Sequence, residues 1–461
     1  MFNKGRVSVL LKSLYYSQSI QPYRTPSGDT IGVHRTKSST SDDSDFSSTL
    51  ADAITSNLTP TQLSSNSPLV RFGGPVSSSP SFGGNYPTTP PSTTPGTGSP
   101  TGTAPDVTDT GGPHDFEAEQ VGQVDRAPMA FFEHDGELVI SGITRNGISE
   151  TPVWTYTDEN GVVQRSVLPE AAESGATGYS TDGYLHLTPE SWGGAIDYTA
   201  TSPDGPWEMH DYTYLVPHDY TNLKWGFSYQ CPVTGQEFMG FGNGSHPGMV
   251  ITQEDGEWQL FAAPDDMLFP TGVGVINTGT NKGTTLISSC TYGRTVVHAV
   301  EPDGSTRIVM EAGAWGVLRA DHTQRVNYLS TEEGRVYWSS FDNPDEWKEC
   351  KYVKPSGEVD QIEPLQGEPN IHPDTGTMIF PGMGDDGTAL YEARREGDDI
   401  VLEEVLWLDG IGEWSIKTAV VDGEFYLGTG LQTGQEADLT PGVIYKIDLE
   451  DTTPDYGTRT A

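Results

Sequence analysis

The sequence is poor in cysteine and in long apolar runs. Its three cysteines, Cys231, Cys290 and Cys350, are too few and too scattered for a disulfide framework or a CxxC metal site, so we expect small core side chains. No window approaches the roughly 18 apolar residues of a membrane span. Because Lys12 interrupts the apolar stretch after MFNKGR and no A-x-A-like cleavage site follows, we predict no signal peptide.

Basic residues are also scarce. The chain has 25 Lys and Arg against 65 Asp and Glu, for a net charge of −40 and a pI near 4.3. Such a surface repels nucleic acid and anionic lipid, and we expect neither as a partner. At molar salt the Debye length is only about 3 Å, which screens the self-repulsion. The composition resembles that of proteins from extreme halophiles; an ordinary acidic secreted protein is the alternative.

The charge is unevenly distributed along the chain. Residues 1–37 hold six basic residues against one acid, a net +5, which leaves −45 for the rest. The only apolar cluster of this segment, VSVLLKSLYYS, is too short to fold alone. We therefore predict a basic segment that docks onto an acidic partner, with a frayed terminus as the alternative. The residues expected to dock are Lys4, Arg6, Leu10, Leu11, Lys12, Tyr15 and Tyr16.

Residues 38–114 are dominated by Ser, Thr, Pro and Gly, as in PTTPPSTTPGTGSPTGTAP. This composition cannot bury enough apolar area to offset the entropy of ordering. We predict an extended linker between the basic segment and the remainder of the chain.

From residue 115 onward a tight turn followed by a β-rich run recurs. The glycines of these turns, from Gly136 to Gly423, are 47, 52, 48, 93 and 47 residues apart, and 93 is close to two periods. The unit missing from the long interval is RVNYLS, at Arg325 to Ser330, whose turn lacks glycine. Each unit continues into a second turn, such as TQEDGEW. Trp207, Trp258 and Trp347 follow these second turns, which indicates a shared packing role in an outer strand.

A period of about 47 residues with four short strands is typical of a propeller blade. The sequence therefore predicts an all-β fold, a seven-bladed β-propeller over residues 115–461, preceded by the docking segment and the linker. The last unit lacks a fourth strand, whereas FEAEQVGQV before the first unit is unassigned. We predict that residues near 116–125 supply the outer strand of the last blade and close the ring.

Candidate catalytic and metal-binding groups are few. SPDGPW, Ser202 to Trp207, resembles a blade turn of glycosidase propellers and, superficially, the Asp box of sialidases, but the full pattern and a substrate-binding arginine set are lacking. We expect no enzymatic activity. His134, His322 and His372 lie near the ends of innermost strands in three blades, where metal ligation is the alternative to ordinary turn histidines.

The acid pairs Asp385-Asp386 and Asp398-Asp399 lie in turn-rich stretches. Solvated loop acids are the favoured interpretation, with calcium or another cation as the alternative. We therefore predict no cofactor.

The predicted recognition surface follows from strand order. In a four-stranded meander, the loops between the second and third strands and those between blades emerge on one face, and these loops are the longer and more aromatic ones. Exposed aromatic rings stack on sugars or on protein partners, although burial in the blades is an equal alternative for each tryptophan. The binding candidates are Trp192, Tyr220, Trp225, His246, Tyr292, Trp315 and Trp414.

A basic docking segment, a polar arm and a presented propeller, in a halophilic composition, resemble the turret, spike or tail-fibre proteins of tailed viruses that infect haloarchaea. That resemblance implies a structural protein at the virion surface that contacts capsid or tail proteins through its N-terminus and a host surface glycoprotein or glycan through its propeller, with several copies in the assembly. A secreted or cell-surface, extracellular glycan-active enzyme is the alternative. A decoration without a ligand is the third option.

Overall fold

The computed structural model describes most of the chain after residue 115. The described residues are 23–24, 30–31, 116–142, 151–169, 174–181, 183–190, 194–216, 224–242, 247–291, 293–365, 367–433 and 440–449. The chain forms two compact units, one of residues 9–106 and the other of residues 1–8 and 107–461. In the first unit, only the antiparallel pair β1 (Tyr23–Arg24) and β2 (Thr30–Ile31) is described. The predicted docking residues and the whole of the predicted linker, residues 38–114, lie outside the described residues.

The second unit is a seven-bladed β-propeller, as the sequence predicts. Seven sheets follow one another along the chain, and each is built on an antiparallel meander whose first strand is innermost. Within the described residues, the only helical element is a 3-10 turn at Thr213–Leu215. No helix among them is long and apolar enough to cross a bilayer.

The first four blades have four strands each. Blade I comprises β4 (Pro128–His134), β5 (Glu137–Gly142), β6 (Thr151–Thr157) and β7 (Gly161–Leu168), and blade II comprises β8 (Ser174–Thr181), β9 (Tyr184–Glu190), β10 (Ile196–Ala200) and β11 (Glu208–Asp211). Blade III comprises β12 (Lys224–Gln230), β13 (Glu237–Gly242), β14 (Met249–Glu254) and β15 (Glu257–Ala262), and blade IV comprises β16 (Pro270–Val275), β17 (Thr285–Thr291), β18 (Arg294–Val300) and β19 (Thr306–Ala312).

The remaining blades include one enlarged sheet and one closed by a distant strand. Blade V comprises β20 (Gly316–Asp321), β21 (Val326–Thr331), β22 (Val336–Ser340) and β23 (Asn343–Glu349). Blade VI comprises β26 (Asn370–Ile371), β27 (Met378–Met383), β28 (Gly387–Glu396) and β29 (Asp399–Asp409), extended by β24 (Lys351–Lys354) and β25 (Gly357–Val359). Blade VII comprises β30 (Ile411–Val421), β31 (Glu424–Leu431), β32 (Gly442–Asp448) and β3 (Glu117–Val124).

The ring is closed by its first and last strands. β3 pairs antiparallel with β32, from Glu117 opposite Asp448 to Val124 opposite Gly442, and forms the outer strand of blade VII. This is the closure that counting strands in the sequence predicts. It joins the two ends of the repeat array through backbone hydrogen bonds and leaves no unpaired edge on β32.

The tight turns follow from their residue types. Asp135-Gly136 and Asp422-Gly423 both have positive φ angles, the conformation of a two-residue type I′ hairpin that suits Asp and Gly. In blade V, where glycine is missing, Arg325 takes the positive φ of 57°. The period is therefore kept without glycine because a longer side chain accepts the left-handed conformation.

The extra hairpin of blade VI is not anticipated from the sequence. β24 pairs parallel with the outer strand β29 and antiparallel with β25. Lys351 of β24 lies 2.6 Å from the Asp399 carboxylate, which holds the pKa of Asp399 below its usual range. The connection from blade V to blade VI thus covers the edge of the sheet instead of leaving it exposed.

The hydrophobic core lies between successive blades. Each tryptophan after a second turn packs on the cluster shared with the preceding blade: Trp207 with blade I, Trp258 with blade II and Trp347 with blade IV. Trp207 also donates its indole N–H to Ser166 Oγ at 2.9 Å. The predicted packing role is confirmed for all three.

Strand direction assigns two unlike faces to the ring. Turns between first and second strands, and between third and fourth, lie on one face, which we call the short-turn face. Connections between second and third strands, and between blades, lie on the other, which we call the loop face. The loop face has long connections such as residues 143–150 and 432–441, but the short-turn face is not uniformly short, since residues 276–284 of blade IV and 201–207 of blade II also lie there.

Candidate functional site

The predicted recognition residues are only partly described. Trp192, Tyr220, His246 and Tyr292 lie outside the described residues. The backbones of Trp225 and Trp414 are described, but their side chains are not. Trp315 is the one candidate whose side chain is placed, so the structure does not test whether the seven side chains converge.

Trp225 and Trp414 belong to strands, and the prediction that they lie in loops is wrong. Trp225 lies in β12 and Trp414 in β30, each close to the start of an innermost strand. Both strands contain a register shift at this point, between Lys224 and Gly226 and between Glu413 and Ile416. The partner strands extend far enough to pair with these segments, and the bulges absorb the extra residues.

Trp315 lies in the connection between blades IV and V, on the loop face. Its side chain is partly buried, with its ring centroid 6.0 Å from that of the buried Phe269. Its carbonyl accepts a hydrogen bond from the Glu332 amide at 2.9 Å. Trp315 therefore supports the loops around it and also exposes part of its indole.

The three histidines do not share one site in the described structure. His134 bonds Ser180 Oγ through Nδ1 at 2.8 Å, and the His372 imidazole accepts the Asp374 amide at 3.1 Å. His322 Nε2 lies 3.5 Å from Cys231 Sγ. Among the described residues, no group of three or more His, Cys, Asp or Glu side chains has metal-binding geometry.

Cys231 is more than the inert core residue that the sequence suggests. Burial raises the pKa of its thiol, but hydrogen bonds from His322, from the Thr234 hydroxyl and from neighbouring backbone amides lower it to about 7. Burial raises the pKa of Cys290 to about 11 and that of Cys350 well above its usual value. The Cys231–His322 contact joins the first turns of blades III and V.

Innermost strands contribute a charged cluster that joins several blades. The Arg319 guanidinium of β20 lies 5.0 Å from the ring centroid of Tyr229 in β12, and its Nη2 lies 2.8 Å from Glu368 Oε2. Lys417 Nζ of β30 lies 3.7 Å from the other Glu368 oxygen. Burial raises the pKa of Glu368, but these two cations lower it below the usual value overall. The cluster links blades III, V and VII through side chains, so it fastens the inner lining of the ring.

A second polar cluster is buried between blades II and III. His186 Nδ1 lies 2.8 Å from Asp197 Oδ2, and the Thr188 hydroxyl donates to Asp197 Oδ1 at 3.1 Å. The Tyr179 hydroxyl donates to Glu237 at 2.8 Å, and its ring stacks on His186 with centroids 4.6 Å apart. The sequence analysis does not identify this cluster. A His and an Asp on adjacent strands, such as His186 and Asp197, could have predicted a buried pair.

The acidic turn residues have structural partners. In SPDGPW, Asp204 accepts two hydrogen bonds from Arg165, at 2.8 and 2.7 Å, and the Pro203 carbonyl accepts the Ser166 hydroxyl. Asp399 lies in a strand rather than a loop and pairs with Lys351. The turn that resembles a glycosidase element thus fastens blade II to blade I.

Comparisons with known proteins assign neither a family nor a function to this chain. No family model matches the sequence, and no curated protein matches it. Solved structures that align with this one include the Dos1 propeller, at 9% identity and TM-score 0.46, with 71% of this chain and 95% of that chain covered. A β-xylosidase has 13% identity and TM-score 0.33, with 72% and 94% covered. A PQQ-bound aldose sugar dehydrogenase from Streptomyces coelicolor has 10% identity and TM-score 0.39, with 73% and 100% covered.

Proposed function

We propose that this chain is a structural protein of a virion surface, a turret, spike or tail fibre, whose propeller attaches the particle to its host in high salt. The observation that carries the proposal is the place where the N-terminal arm joins the ring. Glu117, the first residue of β3, pairs with Asp448 at the end of β32, which is the short-turn end of blade VII. Phe116 and Glu117, where the described part of the propeller begins, therefore lie at the short-turn face, opposite the loop face.

Attachment at the short-turn face would present the loop face to a host. An arm anchored in a particle by residues 1–37 would hold the ring by its short-turn face and leave the loop face directed towards the host. Phe116 fixes the junction, because it is buried in the cluster between blades VI and VII and its amide bonds the Val405 carbonyl at 3.3 Å. The charge difference between the +5 segment and the remaining −45 supports docking of the segment and solubility of the ring.

Binding without catalysis is part of the proposal. Several acids that could serve in catalysis are occupied by structural partners: Asp197 by His186, Glu237 by Tyr179, and Glu368 by Arg319. Their hydrogen bonds and ion pairs hold the blades together, and glycoside hydrolysis needs a positioned acid and a second free carboxylate. A glycan-active enzyme remains the alternative function.

The first experiment tests docking and attachment separately. Deletion of residues 1–37 is expected to abolish association with particles while the deleted protein still binds haloarchaeal envelope in molar salt. Trp315→Ala combined with Trp192→Ala should weaken envelope binding about tenfold or more, because aromatic residues carry much of such binding energy.

Tyr184→Ala is the matched control, since this tyrosine is 49% exposed and lies on the short-turn side of blade II. Equal loss in the control and in the loop-face variant contradicts the assignment of the loop face. Turnover of a glycan panel by the intact chain would support the enzyme instead.

A further inference from the structure

The rim of the short-turn face contains a cavity that belongs neither to the closure of the ring nor to the loop face. It has a volume of about 250 Å³ and lies between the first turn of blade I and the second turn of blade II. That volume equals roughly eight waters at about 30 Å³ each, which is sufficient for a single sugar ring with its hydroxyl groups. Its lining residues are His134, Asp135, Glu137, Arg165, Thr201, Ser202 and Pro203.

One buried polar atom in this cavity has no hydrogen-bond partner. His134 is 2% exposed, and its Nδ1 is engaged by Ser180, but its Nε2 forms no hydrogen bond with any residue that the structure describes. Asp135 Oδ2 lies 3.6 Å from this nitrogen, beyond hydrogen-bond length. A buried polar atom without a partner costs free energy unless a ligand or a water satisfies it. A hydroxyl group that enters beside the Asp135 side chain, which is 82% exposed, would reach both residues once the Asp135 carboxylate moves aside.

The charges of the lining decide the class of ligand. Arg165 places a guanidinium in the wall, which opposes a metal ion, whereas Asp135 and Glu137 oppose an anion. Arg165 is held by Glu137 at 2.9 Å and by Asp204 at 2.7 Å, so two acids fix the position of its guanidinium in the wall. Carboxylates retain free lone pairs in such pairs and accept further hydrogen bonds from hydroxyl groups. The lining therefore favours a neutral ligand rich in hydroxyl groups.

We propose that this cavity, which we call the rim pocket, is a binding site for one neutral sugar residue. Asp135 and Glu137 accept its hydroxyl groups, His134 Nε2 bonds the hydroxyl that Asp135 also holds, and Ser202 contacts the opposite side. The site is independent of the loop face, since the two lie on opposite faces of the ring.

The test measures binding of free sugars to the full chain in molar KCl. Ligand-observed NMR and calorimetry detect the binding. The probes are glucose, galactose, mannose and N-acetylglucosamine. At least one is expected to bind saturably with a dissociation constant of about 1–10 mM, as befits a single ring held by few hydrogen bonds. Asp135→Asn should weaken that binding about fivefold or more, because the amide replaces one acceptor by a donor.

Asp255→Asn is the matched control. Asp255 has a φ of 52° and precedes a glycine in a two-residue turn, as Asp135 does with a φ of 50°, so both substitutions have the same backbone requirement. Ser202→Ala is a second variant with an expected loss of twofold or more (about 0.4 kcal/mol). Thermal unfolding of each variant establishes that it is folded.

Three outcomes overturn the proposal. The first is that no probe binds at concentrations up to about 100 mM, well above the expected dissociation constant. The second is sugar binding that neither Asp135→Asn nor Ser202→Ala weakens. The third is calcium binding that depends on Asp135 while no sugar binds. Loss of envelope binding through the loop-face tryptophans has no bearing on this result, so the two proposals fail separately.

Discussion

Two interfaces of the ring solve the same packing problem with different chemistry. Between blades VI and VII the contact is an apolar cluster that includes Leu390, Leu406 and Leu427. Between blades II and III, an apolar cluster is joined by His186, Asp197, Tyr179 and Glu237 in a buried hydrogen-bonded group. One repeat geometry therefore accepts either solution, since the buried polar side chains between blades II and III find partners in one another.

The largest expected effect is on the polar interface. Asp197→Ala removes a fully buried carboxylate and leaves His186 and Thr188 without their acceptor, so we expect a loss of about 4 kcal/mol in the free energy of unfolding. Urea unfolding in a fixed molar concentration of KCl measures it. Asp197→Asn, which keeps the shape and an acceptor for Thr188, should cost clearly less; equal losses would show that the carboxylate charge beside His186, and not the side-chain volume, carries the effect.

The apolar interface should respond somewhat less. Leu427→Ala creates a cavity at a side chain with no exposed area, and we expect a loss of about 3 kcal/mol in the same urea measurement. Leu260→Ala is the control, because this leucine is 41% exposed in an outer strand, and its loss should stay within about 0.5 kcal/mol. A loss at Leu427 no larger than at Leu260 would argue against tight packing between blades VI and VII.

The smallest expected effect is on the pH dependence of stability, which should differ between the two interfaces. Burial lowers the pKa of His186, but the hydrogen bond and the charge of Asp197, with the charge of Glu237, raise it above 6.5 overall. Because the folded pKa exceeds the unfolded one, the stabilisation is complete below the unfolded value and is lost as the pH rises through the folded value.

The unfolding midpoint should accordingly be higher at about pH 6 than at about pH 9, and His186→Gln should reduce that difference. Leu427→Ala should leave the difference unchanged, because its surroundings are apolar. A pH dependence that His186→Gln does not alter would assign the effect to other groups.

Local turn chemistry made much of the fold predictable. The Asp-Gly turns mark the blades, and the shortage of strands in the last unit predicts the closure by residues 117–124. Arg325 shows why one unit is harder to find, since its turn spans four residues, 322–325, and places an arginine instead of a glycine at the positive φ. The hairpin β24–β25 escaped prediction because its Lys351 to Val359 segment carries the same strand signals as a blade but no period.

The candidate sites were less predictable because they depend on contacts distant in sequence. Arg319 meets Tyr229 across two different blades, and Cys231 meets His322 over 91 residues. The rim pocket joins His134 to Ser202 from neighbouring blades. Periodicity places each strand, but it does not state which side chains of different blades face one another.

The pairing of β3 with β32 has a mechanical consequence. A pull on the N-terminal arm enters the ring at Glu117, and a ligand held on the loop face would resist it from the opposite end of the strands. The load then runs along β3, nearly perpendicular to the hydrogen bonds of the pair. All of these bonds share the force at once instead of breaking one after another, so the seam that completes the ring is loaded in shear.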